Sequence, residues 1–267
     1  MDNRPIGIFD SGVGGLTVTR RVMDELANEE IVYFGDTARV PYGSKSKDTI
    51  TKFAKQDIRF LISKDVKAVV IACNTVSSNS LDELKEAFDI PVFGVVKPGA
   101  VQAAKATQNN NIGVIATAAT VRSGAYKREI LNINNGSNVS SRACPLFVPL
   151  AEEGWSDEEV TYLTAKKYLS GLIEKNIDTL VLGCTHYPLL RNCIQRTFGE
   201  SVRLIDPAYE TAVVLKEYLV KNDMLRISSE PAQNRFYVSD KTETFSKICR
   251  QALGREFEAD LINIEEF

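Results

Sequence analysis

Two matching segments constrain this chain more than anything else in it: each is a short apolar run that ends on a cysteine. Val69-Val70-Ile71-Ala72 leads into Cys73-Asn74-Thr75, and Leu180-Val181-Leu182-Gly183 leads into Cys184-Thr185-His186. A second echo lies upstream of each, Ile6-Gly7-Ile8-Phe9 and Ile112-Gly113-Val114-Ile115. The offsets are similar, 106 residues from Gly7 to Gly113 and 111 from Cys73 to Cys184. Unbroken aliphatic runs of this length suit strands buried on both faces of a parallel sheet. The repeat therefore predicts two similar parallel-sheet α/β domains, related by a pseudo-two-fold. Each would carry one cysteine at the carboxyl end of a strand, where open α/β sheets place ligands. If the halves face each other, the two thiols flank one ligand in the cleft between them.

The rest of the chain keeps the same alternation. Strands are expected at 6–9, 31–34, 68–72, 92–95, 112–116, 179–182 and 202–205. Helices are expected between and after them at 16–27, 48–63, 79–88, 99–107, 121–131, 157–175, 188–198 and 209–221. One more strand (235–238) and one more helix (243–253) close the chain. Strand–helix alternation of this kind implies parallel sheets built through crossovers. The stretch 132–141, rich in Asn, Ser and Gly, reads as an exposed loop.

At 267 residues there is room for two such domains. A net charge of −3 offers no basic face to nucleic acid. The apolar stretches are strand-sized, far short of the ~20 residues a membrane span needs. Met1-Asp2-Asn3-Arg4-Pro5 opens no signal-peptide pattern. A cytoplasmic protein acting on a small molecule is expected, with no nucleic-acid or membrane partner. In a reducing compartment the five cysteines should be thiols. The one histidine, His186, excludes a multi-histidine metal site, and no C-x₂₋₄-C pair exists, so no metal is expected.

Cys73 and Cys184 are thus the thiols singled out for chemistry. At a strand end that opens a helix, amide N–H groups favour a thiolate, and the pKa is expected to fall toward neutrality. A thiol so placed can act as base in one form and acid in the other. Inversion of a carbon centre needs both, one on each face. Cys144, Cys193 and Cys249 lack a matching partner and read as buried structural residues. His186 is placed to tune Cys184. Asp10-Ser11-Gly12-Val13-Gly14-Gly15 follows the first strand and can present N–H groups to an anion. It matches neither a P-loop nor the dinucleotide fingerprint, so a small carboxylate fits better than a nucleotide. Asp10 could meet a substrate ammonium, act beside a thiol, or simply cap a helix. Gly35-Asp36-Thr37 and Pro41-Tyr42-Gly43-Ser44 form a second loop whose N–H groups and Ser44 hydroxyl can grip a carboxylate. Ala116-Thr117-Ala118-Ala119-Thr120 is the second half's counterpart of the Asp10 loop. Glu152 and Glu153 read as a solvated edge or as acids near the site. A two-lobed small-molecule binder without catalysis remains open on these residues alone.

Together, Phe9–Thr17, Gly35–Ser46, Ala72–Thr75, Leu150–Gly154, Gly183–Leu189 and Ile205–Ala208 resemble the glutamate racemases of the aspartate/glutamate racemase superfamily. The resemblance covers nearly the whole chain. It implies conversion of L-glutamate to D-glutamate and back without pyridoxal phosphate or any other cofactor, supplying peptidoglycan synthesis. It implies that Cys73 and Cys184 are the two acid/bases, Cys73 on the D-isomer and Cys184 on the L-isomer. Asp10 would assist Cys73 and His186 would assist Cys184, with Asp36 and Glu152 nearby. Ser11, Asn74, Thr75, Thr117, Thr120 and Thr185 would hold the amino group and α-carboxylate; Pro41, Tyr42, Gly43 and Ser44 would hold the side-chain carboxylate. The implied domains are 1–96 completed by 208–267, and 97–207, and the implied assembly is a homodimer. Ala116-Thr117 and Lys97 depart from common family residues at non-catalytic positions. Some members carry an N-terminal extension linked to activation by a cell-wall precursor; this sequence shows none, so no such regulation is expected. Aspartate, one methylene shorter, stays the nearest rival substrate.

Overall fold

The computed structural model describes residues 1–241, 243–254 and 257–267. Residues 242, 255 and 256, inside the expected segment 208–267, lie outside the described residues. The strands are β1 (Ile6–Asp10), β2 (Ile31–Gly35), β3 (Ala68–Ile71), β4 (Val92–Gly94), β5 (Asn111–Ala116), β6 (Asn138–Ala143), β7 (Thr179–Gly183), β8 (Arg203–Ile205), β9 (Arg235–Val238) and β10 (Ala259–Leu261). The helices are α1 (Leu16–Glu25), α2 (Lys47–Ser63), α3 (Asn74–Ala87), α4 (Val96–Ala106), α5 (Ala118–Ser123) and α6 (Ala125–Ile133), then α7 (Phe147–Glu152), α8 (Glu159–Ile173), α9 (Arg191–Phe198), α10 (Pro207–Lys221) and α11 (Glu243–Leu253). Among the described residues, none of these helices is long and apolar enough to cross a membrane.

The strands form two all-parallel sheets, so the fold is the expected pair of α/β domains. The first runs β10-β9-β2-β1-β3-β4 and the second β6-β5-β7-β8. Stripped of β9 and β10, the first sheet has the order 2-1-3-4, which the second repeats as 6-5-7-8. The register matches as well. Phe9 lies beside Ile71, and Ile115 beside Leu182. Cys73 and Cys184 each stand two residues past that pair, so the repeat read in the sequence is a repeat in space.

Both faces of each sheet are covered, which explains the continuous apolar runs. Side chains alternate along β1. Ile6 and Ile8 pack with Leu16 and Val22 of α1, Leu215 of α10 and Ile248 of α11. Phe9 packs on the other face with Ile50, Ala54 and Ile58 of α2. In the second sheet Ile112 and Val114 meet Ala100 of α4 and Ile130 of α6, while Ile115 meets Ala165 and Leu169 of α8. Each fully buried aliphatic side chain of this kind contributes roughly 1.5–3 kcal/mol. Cys73, Cys144, Cys184 and Cys193 are buried thiols outside any disulfide, and Cys249 is buried too.

The structure departs from the sequence-based elements where local signals are weak. The stretch 132–141 contains the start of β6, an edge strand whose residues are exposed or half-buried and so carry no apolar pattern. The expected helix 121–131 is two helices, broken where Gly124 takes φ +65°. Helix α4 starts at Val96 instead of 99, because Pro98 falls in the first turn, where no N–H is needed. Helix α3 starts at Asn74 instead of 79, and this shift matters most: it puts Cys73 at the helix N-cap. Helix α7 and strand β10 carry no sequence prediction at all.

Candidate active site

The two cysteines leave equivalent strand ends and open onto one cavity of about 430 Å³. Ser11, Pro41, Tyr42, Gly43, Ser44, Asn74, Thr75, Thr117, Glu152, Thr185 and His186 line it with them. Its walls thus come from loops after strands of both sheets. Asp10, Asp36 and Thr120, also expected at the site, are not in the lining. Each is buried just behind it.

Around Cys73 the chain turns from β3 straight into α3. The thiol donates to Ser11 Oγ at 3.3 Å and faces the Val76 amide in the first turn of α3. Complete burial pushes its pKa up to about 12, and the nearby Asp10 charge adds to the rise. The Ser11 hydroxyl and the amides of Val76 and Ser11 oppose this without prevailing. The expected fall toward neutrality is therefore corrected for Cys73: desolvation outweighs the helix N-terminus.

Around Cys184 the partners are charged. His186 Nδ1 stands 3.9 Å from Cys184 Sγ, and His186 Nε2 is 2.9 Å from Glu152 Oε1. Burial alone would lower the imidazole pKa. The contacts with Cys184 and Glu152 outweigh it and push it up to about 10. These two partners favour the charged imidazole, and Glu152 stands in the cavity wall beside it.

Asp10, at the end of β1, links the halves and also meets the Gly15 amide at the start of α1. Its carboxylate accepts from Gly12 N at 3.2 Å and from Thr185 Oγ1 at 3.4 Å. No hydrogen bond joins it to Cys73; it acts on that thiol through its charge. Thr17 Oγ1, in the first turn of α1, donates to the Thr185 carbonyl at 3.0 Å. The Gly14 backbone lies flush against the same segment: an added Cβ would sit 2.4 Å from His186 Nδ1 and Thr185 Oγ1.

A second set of contacts crosses between the halves through hydroxyls. Thr75 and Thr117 meet at 2.9 Å, and Ser78 donates to Thr120 Oγ1 at 3.4 Å. Thr120 N and Thr117 Oγ1 form the α5 cap at 3.3 Å, so Thr120 braces Thr117 from behind the wall. Tyr126 OH donates to Asn74 Oδ1 at 2.6 Å. The loop Pro41–Ser44 approaches so closely that a Cβ on Gly43 would lie 2.8 Å from Thr117 Cβ.

Sequence reading missed Val40, Pro145, Val148 and Pro149 in the cavity wall, which carry no polar signal. It missed Tyr126, which sits inside an ordinary amphipathic stretch. It also missed Asp57, for which a signal existed: an acid on the same helical face as Ile50, Ala54 and Leu61, all buried.

The model of the Asp/Glu/Hydantoin racemase family matches residues 6–215. The chain is 51% identical to the glutamate racemase of Geobacter metallireducens, over 94% of this chain and 93% of that one. It is 47% identical to the glutamate racemase of Thermoanaerobacter pseudethanolicus across all of both chains. In three dimensions it is similar to the crystal structure of glutamate racemase from Francisella tularensis in complex with D-glutamate. There the TM-score is 0.94 at 42% identity, with full coverage of both chains. With a matching family model, full-length relatives and a common fold, the chain belongs to the Asp/Glu/hydantoin racemase family, among its glutamate racemases.

Proposed function

We propose that the chain interconverts L- and D-glutamate without a cofactor, passing the Cα proton between Cys73 and Cys184. One observation carries this reading: two thiols from equivalent strand ends open onto one cavity, in unlike charge environments. The glutamate specificity draws its support from the named relatives and from the D-glutamate bound to one of them.

In the L-to-D direction the Cys184 thiolate takes the Cα proton. The electron pair left on Cα spreads into the α-carboxylate. The Cys73 thiol, which holds its proton in the resting site, delivers it to the other face. D-glutamate leaves a Cys184 thiol and a Cys73 thiolate, and proton exchange with water or a reverse turnover resets the pair. The protonated His186 is the counter-charge for the Cys184 thiolate, and Glu152 holds it in place. Asp10 plays the mirrored part electrostatically, since its charge makes Cys73 retain a proton and, once deprotonated, a stronger base.

The Cα proton is a very weak acid, so the carbanion must be stabilised. Hydrogen-bond donors fixed in a water-poor cleft do this at no cost in reorganisation. Ser11, Asn74, Thr75, Thr117 and Thr185 are assigned to the amino group and α-carboxylate, and Thr120 to bracing Thr117. Pro41, Tyr42, Gly43 and Ser44 are assigned to the distal carboxylate, with Asp36 beneath them. The cleft lies between domains 1–96 with 208–267 and 97–207, in a cytoplasmic homodimer that supplies D-glutamate for peptidoglycan and so for cell shape.

The test is direct. The pure chain is incubated with L-glutamate in heavy water, and optical rotation and Cα deuterium are followed. Rotation is expected to decay to zero with one deuterium gained. Cys73→Ala and Cys184→Ala should each slow this by about 10²–10⁴-fold, the usual loss for an acid or base. No decay with glutamate would sink the reading, and full activity in Cys73→Ala would sink its two-thiol form. Faster decay with L-aspartate than with L-glutamate would instead identify an aspartate racemase.

A further inference from the structure

Beneath the Pro41–Ser44 loop lies a buried cluster of charged groups that the proton transfer does not use. Arg39 is its centre. Its Nε donates to Asp36 Oδ2 at 2.6 Å, its Nη2 to Asp57 Oδ1 at 3.0 Å, and its Nη1 to Gln56 Oε1 at 2.6 Å. The guanidinium also lies 4.1 Å over the Phe53 ring and 3.4 Å from Glu265 Oε1. Tyr42 reaches down into the cluster from the cavity wall: its hydroxyl donates to Asp36 and lies 3.3 Å from Asp57 Oδ2. Ser239 Oγ donates to the other Asp36 oxygen at 2.8 Å.

With both carboxyls ionised the charges in this cluster do not balance. Asp36 and Asp57 are fully buried, whereas Glu265 is mostly exposed. One guanidinium serves two buried carboxyls, so with both ionised one buried charge is left without a partner, which is strongly unfavourable. The cluster is neutral if Asp57 keeps its proton. Burial, followed by the neighbouring Asp36 charge, pushes the Asp57 carboxyl well above its ordinary range. The hydrogen bonds then run in order: Asp57 O–H to Tyr42 oxygen, Tyr42 O–H to Asp36, and Arg39 to both acids.

We propose that Arg39 and Asp57 are positioning residues that hold Tyr42, and with it the Pro41–Ser44 loop, at the height that receives the distal carboxylate. Neither side chain is in the cavity lining. Each acts through Tyr42, which lines the cavity and whose hydroxyl is tied beneath it. The loop has little freedom on its other side, where Gly43 abuts Thr117. Its height is therefore set from below. The inference rests on the glutamate reading of this site and names what fixes the distal end of that substrate.

The test separates loop position from simple stability and from the chemistry. The dissociation constant for D-glutamate is measured by calorimetry in the wild-type chain, Asp57→Ala, Asp57→Asn and Arg39→Lys. Asp57→Ala and Arg39→Lys should each weaken binding by about tenfold, the scale of a lost charge-assisted contact. Asp57→Asn, which keeps both hydrogen-bonding positions without a charge, should stay within about threefold, because the acid it replaces is neutral. KM should follow the same order while kcat is nearly kept. Binding within about twofold of wild type in Arg39→Lys, with loss only in melting temperature or active fraction, overturns the proposal. Should Asp57→Ala fail to fold, Arg39→Lys and Asp57→Asn decide. A wild-type chain that binds D-glutamate but racemises nothing overturns the proton-transfer mechanism and leaves this binding test standing.

Discussion

Replacing Gly14 by alanine is a sharp test of how the Cys184–His186 segment of the second half is seated. The backbone at Gly14 is one alanine can adopt, so the effect is steric alone. The new methyl would stand 2.4 Å from His186 Nδ1 and Thr185 Oγ1 and 2.6 Å from His186 Cε1, against an ordinary contact of 3.4 Å. About 1 Å must open between the α1 loop and residues 185–186. These atoms are not free ends. Glu152 and Cys184 hold His186; Asp10 and Thr17 hold Thr185. A 1 Å misplacement costs about 10²-fold in rate, and overpacking costs about 1–3 kcal/mol in stability. Racemisation followed by circular dichroism should therefore fall about a hundredfold in kcat/KM, with the chain still folded. Because enantiomers have equal free energy, the fall must be equal in the two directions. Gly171→Ala is the matched control: no atom lies within 4 Å of its added Cβ. In the last turn of α8 it should stabilise by at most about 0.5–1 kcal/mol without touching the rate. A Gly14→Ala chain with wild-type kcat/KM would refute the seating described here.

Two further outcomes follow from charge and packing. The chain has one histidine, so a single imidazole signal reports His186 by NMR. It should titrate near pH 10, and Glu152→Gln should bring the midpoint down toward the ordinary 6.5. The sign for stability is that of a raised cation. The contribution is complete below about pH 6.5 and is lost as pH rises through about 10, so the pH dependence of melting in that window should flatten in Glu152→Gln. An unchanged midpoint in Glu152→Gln would remove the carboxylate from the account. Ile8→Ala, deep in the first sheet, should cost about 2–5 kcal/mol in urea unfolding, and a smaller loss would mean that the site collapses around the cavity.

Much of this molecule was legible in the residues because two constraints overlapped. Strands buried on both faces must be apolar throughout, so β1, β3, β5 and β7 declared themselves, and the repeat tied them into matching sheets. Edge strand β6 has only one partner and needs no such run, so Asn138–Ala143 looked like a loop. The short helix α7 left no trace, although it delivers Glu152 to His186. The cavity residues were legible where they are polar and follow a strand, as with Ser11, Thr75 and Thr185. Those that act from behind were not, because burial depends on what packs over a group. The state of Cys73 shows this plainly: its position at a helix N-terminus favours a thiolate, and only the packing around it reverses the sign.

The shared strand order of the two sheets carries a geometric consequence. The carbanion between L- and D-glutamate is flat and mirror-symmetric, but a chain of L-residues contains no mirror. The nearest symmetry available to duplicated halves is rotation. A two-fold axis lying in the carbanion plane exchanges its faces, and so suits two thiols, but it also exchanges the substituents on either side of the axis. Those substituents are a carboxylate and a longer acidic arm, which are not alike. Equivalent loops must therefore diverge, and they do. After β2 the chain builds the Pro41–Ser44 shelf; after β6 it builds Pro145 and α7, which brings Glu152 to His186. On the proposed two-thiol mechanism, the asymmetry between the thiols is the form that handedness takes when a rotated duplicate has to treat mirror images alike.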